Sequence, residues 1–171
     1  MTKAEFKKLL SEKTKSELQQ MLLDVFSASR EARRVLEGAQ GLSEEDVERL
    51  LDTAELKIFN VFHPSRGYYA KSCVAKSNKV ITEFKQQCKN PDALARLMVY
   101  QVEQIADASG LEWELYSTSF DNRTAACARF LFKHKLIPKY EEQMNAALSK
   151  IAEYSFISCA RNIDDYLAAL G

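Results

Sequence analysis

The chain has 171 residues with 24 Lys and Arg against 24 Asp and Glu, so its formal charge is zero and nothing global draws it to nucleic acid or an anionic membrane. Apolar residues at 46% and charged residues at 28% suit a globular protein long enough to bury one core. Five Gly and three Pro are few for the many turns of a β-rich fold, so their scarcity favours helices.

In chain order, Thr2-Lys3-Ala4-Glu5 and Thr14-Lys15-Ser16-Glu17 both have the capping-box form, in which a hydroxyl and a Glu satisfy exposed amides at a helix start. After the second box, Leu18, Leu22, Val25, Ala32 and Leu36 follow helical spacing, widened by Met21, Phe26 and Val35, with Gly38 as the expected stop. Ser43 before Glu44, Glu45 and Asp46 predicts the next start, since acids in a first turn suit the helix dipole. Its stripe runs from Val47 to Phe62, and His63-Pro64 ends it. A helix from about Tyr68 to Cys88 follows. Asn90-Pro91, an N-cap followed by proline at the first helical position, opens another that runs to Gly110. Trp113, Tyr116, Phe120, Cys127, Phe130 and Leu131 mark a further helix ending near His134. Pro138 opens the next, and a short helix over Ser158–Leu170 is the last. No segment alternates as a strand would.

The expected fold is therefore all-α: one domain, 1–171, of about seven antiparallel helices. Long-helix starts near 15, 44, 68, 91, 112 and 138 recur, two by two, at the unit length of helical-hairpin repeats. No residues match between units, so stacked hairpins and a compact bundle both stay open.

Charge is uneven along the chain. Residues 63–90 hold Arg66, Lys71, Lys76, Lys79, Lys85 and Lys89 against Glu83 alone, a net +5. Around the helix, Lys71, Lys85 and Lys89 fall on one shoulder of the apolar arc and Lys76 and Lys79 on the other, as solvated lysines do, whereas a groove-binding helix gathers its cations on one face. The preceding acidic segment is expected to offset part of this charge. Arg66-Gly67, with Lys71 just beyond, stands before a helix start where an anion is favoured; a loop arginine pairing with an acid is the plainer reading.

The helix after Pro91 is apolar around most of its circumference and should be central. Its remaining strip is Arg96, Tyr100, Glu103 and Asp107, where Glu103 and Asp107 are like charges four residues apart and need something positive nearby. Salt bridges to adjacent helices are the favoured reading over a bound cation. Arg129, Lys133, His134, Lys135 and Lys139 straddle a helix end where the dipole alone favours cations. The four cysteines form no C-x-x-C pair and read as small buried hydrophobes. There is no phosphate loop, G-x-S-x-G or H-E-x-x-H, so no catalytic residue, metal or cofactor is assigned.

The run Arg66-Gly67, Ala75-Lys76, Ile81-Thr82-Glu83-Phe84-Lys85 and Leu94 through Glu103 resembles an uncharacterised bacterial helical family, the domain of unknown function 6155. The resemblance implies a soluble all-helical bacterial protein and brings no activity or cofactor. The leading expectation is a non-enzymatic protein-interaction module in the cytoplasm, without a charged-then-apolar leader or an apolar span of about 18 residues. Its partner is expected to be protein rather than nucleic acid or membrane, with oligomeric state open. The alternatives are an anion or nucleic-acid binder using residues 66–89, and an enzyme built on the Arg96–Asp107 strip.

Overall fold

Local start signals build this molecule. The computed structural model describes residues 2–33, 42–64, 72–111, 118–155 and 158–171. Both capping boxes form. Thr2 Oγ1 accepts from the Glu5 N–H at 3.3 Å while Glu5 accepts from the Thr2 N–H at 2.7 Å, opening α1 (Lys3–Ser11). Thr14 and Glu17 repeat the exchange at 3.3 and 2.8 Å to open α2 (Lys15–Ala28). Ser43 Oγ accepts from the Asp46 N–H at 3.1 Å and starts α3 (Glu44–Phe62). Then come α4 (Cys73–Gln87), α5 (Pro91–Leu111), α6 (Thr118–Lys133), α7 (Ile137–Ile151) and α8 (Ile163–Ala169). Asn90 Oδ1 caps α5 through the N–H groups of Asp92 and Ala93, at 2.9 and 3.4 Å. The described residues contain no strand.

Packing resolves the choice between hairpin stack and bundle. α3 packs on α4, α5 on α6 and α7 on α8; between these hairpins α3 lies on α5, α5 on α7, α4 on α6 and α6 on α8. One layer is thus α3, α5, α7, and the other is α4, α6, α8. First-layer helices start at residues 44, 91 and 137, and second-layer helices at 73, 118 and 163. The intervals of 47, 46, 45 and 45 residues make three near-equal units, a short two-layer stack. α5 sits in the middle with neighbours on every side except one strip. Leu97, Val102 and Ile105 are fully buried on it, beside Phe62, Leu131, Met144 and Leu148.

Several boundaries differ from the sequence reading. The last helix begins at Ile163, because Asn162 accepts from the Asp165 N–H at 2.9 Å and residues 158–162 are not helical. The stripe begun in α2 breaks at Ser29, an extended residue whose hydroxyl accepts from the Ala32 N–H at 3.2 Å and starts a new turn. The expected starts at Tyr68 and Trp113, and the stop at Gly38, lie outside the described residues.

The largest departure concerns α1 and α2. Both are well capped and amphipathic, yet neither has a buried residue. Phe6, Leu9, Leu22, Leu23 and Val25 are all exposed. The six helices from α3 onward share one core, and α1–α2 adds nothing to it.

Candidate functional site

The strip on α5 faces the groove between α3 and α7, and its two ends are tied to those two helices. Arg96 Nη1 donates to Glu48 at 2.8 Å and Nε donates to Glu55 at 3.1 Å, so one guanidinium clamps two carboxylates of α3. At the other end, Lys150 of α7 donates to Asp107 at 2.6 Å. The like pair Glu103 and Asp107 thus finds its cation on α7, and the salt-bridge reading of the strip holds. Glu103 is half-buried; burial first, then Asp107 and Glu55, pushes its carboxyl above the usual range, against the pull of Lys150. Burial and the same three carboxylates, Glu55, Glu103 and Asp107, raise the Tyr100 phenol.

Arg96 also belongs to a cleft of about 670 Å³ at the N-terminal ends of α3, α5 and α7. Its floor is apolar, from Leu42, Val47, Leu51, Cys88 and Ala93; its rim carries Glu44, Glu48 and Asp92 against Lys89, Arg96 and Lys139. Asp92 joins α5 to α7, accepting from Lys139 at 2.6 Å and from the Tyr140 hydroxyl at 3.1 Å. Tyr100, Glu103 and Asp107 do not line this cleft, so the strip and the cleft share only Arg96.

Arg66, Gly67 and Lys71 lie outside the described residues. The rest of the basic segment behaves as solvated surface. Lys76, Lys79, Lys85 and Lys89 are exposed, while Cys73, Val74, Ile81 and Phe84 between them are buried. The expected offset between acidic α3 and basic α4 does not occur as ion pairs. Glu48 and Glu55 turn towards α5 and take Arg96, Glu45 pairs with Arg49 on its own helix, and no α4 lysine has an ion-pair partner among the described residues. Of the second cluster, Lys139 pairs with Asp92, and His134 is exposed with its ring against Phe130, the centroids 4.3 Å apart. Cys73, Cys88 and Cys127 are buried thiols, and burial pushes Cys127 up to about 12; Cys159 is exposed, unlike the sequence expectation, because it precedes the last helix in an irregular segment.

A second polar group escaped the sequence reading. Fully buried Gln101 donates to Ser77 Oγ at 2.6 Å and to Asn78 at 3.0 Å, and accepts from Arg123 Nε at 3.3 Å. One turn on, Gln104 meets His63 Nε2 at 3.0 Å, and that ring stacks on Phe59. This ties α3, α4 and α6 to the far side of α5. Two glutamines three residues apart on the apolar side of a central helix were the available signal.

A two-layer stack of helical hairpins, with one polar strip in its first layer, defines the class. Within it, the chain belongs to the family of unknown function DUF6155, whose model matches residues 1–167. No curated protein and no solved structure matches the chain. Among the described residues no helix is long and apolar enough to cross a membrane.

Proposed function

We propose that the protein is a non-enzymatic interaction module that docks another polypeptide on α1–α2. One observation carries this reading: two helices with complete capping boxes have no fully buried residue and leave Phe6, Leu9, Leu22, Leu23 and Val25 exposed. A helical stack commonly serves as a rigid base for such a surface. The reading includes a bacterial cytoplasmic setting; the free thiols Cys73, Cys88 and Cys127 bear on its reducing compartment alone.

The test is capture at physiological salt by the intact chain and by the double variant Leu22→Asp, Val25→Asp. These side chains are exposed, so the helices should persist, as circular dichroism will check. The expected result is a retained polypeptide lost with the variant. Retention of nothing by the intact chain, or equal retention by both, would count against the reading.

A second reading, small-ligand binding in the cleft around Arg96, is favoured by its volume of about 670 Å³, its apolar floor and its charged rim. Ligand-observed NMR against a fragment library tests it. Hits that survive Arg96→Ala and Tyr140→Phe would place binding elsewhere.

A further inference from the structure

Exposed large apolar side chains are few among the described residues, and their distribution is informative. Among the described residues five lie on α1–α2, two, Leu56 and Phe59, lie on α3, and one, Phe132, on α6. α3 is the outermost helix of the first hairpin, packed on α4 and α5. Its outward stripe is Glu45, Arg49, Asp52, Leu56 and Phe59, spaced alternately by four and three residues. Leu18, Leu22 and Val25 of α2 repeat that spacing. Two stripes of this kind interdigitate when helices cross at a shallow angle.

Stacked-repeat proteins need a polar or covered outer face on each end unit. The α7–α8 end meets that need, exposing no large apolar side chain among the described residues. The α3 end does not.

Charge points the same way. Residues 2–28 carry Lys3, Lys7, Lys8, Lys13 and Lys15 against Glu5, Glu12, Glu17 and Asp24, a net +1 whose positive excess lies in α1 and the turn after it. α3 carries Glu44, Glu45, Asp46, Glu48, Asp52 and Glu55 against Arg49 and Lys57, a net −4. Glu44 and Asp52 have no ion-pair partner among the described residues, and neither have Lys3, Lys7, Lys8 and Lys15.

From these complementary faces we infer that the chain pairs with a second copy of itself, α1–α2 of each protomer packing on the outer face of α3 of the other. This rests on the reading of α1–α2 as the docking element and names its partner. Reciprocal exchange closes the assembly as a two-fold dimer with no apolar end left open.

The experiment is light scattering over about a hundredfold range of protein concentration, on four samples. These are the intact chain, the arm variant Leu22→Asp, Val25→Asp, the face variant Leu56→Asp, Phe59→Asp, and an equimolar mixture of the two variants. Dichroism confirms that each is folded. The intact chain is expected to be a dimer and each variant a monomer. The mixture should recover a weaker heterodimer, because the intact arm of one variant meets the intact face of the other. A monomeric intact chain would overturn the inference, and so would a face variant that stays dimeric, since that means arm-to-arm pairing. An arm variant that stays dimeric overturns it as well, by showing a different contact. If the intact chain is monomeric yet its arm variant still loses a captured polypeptide, self-pairing fails while the docking reading stands.

Discussion

Glu103 holds a proton more tightly than a solvent-exposed glutamate because it is half-buried beside Asp107 and within reach of Glu55. A raised folded-state value means that stability is fully present below the ordinary value of 4.5 and is lost as pH rises and the carboxyl ionises. Glu103→Gln should therefore stabilise the protein at pH 7 by a few tenths to about 1 kcal/mol, and the gain should vanish under acid conditions. Urea midpoints at both pH values check this, and a gain that is equal in acid would refute the electrostatic cause. Tyr166 makes an analogous case without a pH switch near neutrality. Its hydroxyl is fully buried and has no hydrogen-bond partner among the described residues, and burial pushes it up to about 12. Tyr166→Phe should be neutral or stabilising by up to about 1 kcal/mol, against the usual loss for a core substitution. Lys135 is a third. It sits at φ 57 just past α6, with the Leu136 N–H reaching the Leu131 carbonyl at 2.9 Å, a helix stop that glycine fills without strain. Lys135→Gly should raise the thermal midpoint, corresponding to about 0.5–1 kcal/mol.

Between elements, the clamp of Arg96 on Glu48 and Glu55 is the clearest coupling of α3 to α5. Each contact is partly exposed, so a double-mutant cycle of Arg96→Ala with Glu55→Gln should return about 0.5–1 kcal/mol of coupling, and a value near zero would make the clamp ornamental. The residues of this clamp were only half legible in the sequence. Arg96, Tyr100, Glu103 and Asp107 stood out because each interrupts an otherwise apolar helix at helical spacing. Their partners Glu48, Glu55 and Lys150 did not, since which side of α3 or α7 meets α5 depends on packing angles that a linear pattern does not encode. Helix starts were legible at Thr2, Thr14, Ser43 and Asn90, where a side chain does the capping, but not at Asn162, whose equivalent cap lies inside the segment read as one helix from Ser158. α4 shows the converse: Ser72 makes no side-chain capping bond, so no capping side chain announces the described helix.

At the scale of the whole molecule, the spacing of starts pointed to a hairpin unit, and the layered contacts of α3 to α8 realise it. What spacing could not reveal is that the α2 stripe goes unburied, because an apolar face reads the same whether its own chain or another covers it. Compared with the intact chain at a concentration where it is monomeric, removing residues 1–33 should consequently leave the denaturant midpoint of the rest within the equivalent of about 0.5 kcal/mol. Hydrogen exchange should likewise find α1 and α2 far less protected than α5 in the isolated protomer. Strong protection of both helices in a monomer would contradict their lack of burial.

The central position of α5 has a consequence for synthesis of the chain. Its apolar surface is shared between α3 and α4, made before it, and α6 and α7, made after it. A nascent chain halted before Ile137 would hold α5 with its α7-facing side still bare to solvent, Met144, Leu148 and Ile151 not yet having left the ribosome. The first hairpin can form early, but the interior closes only when the third arrives. Translation of the third hairpin is thus an interval in which this protein is open to chaperones and to aggregation.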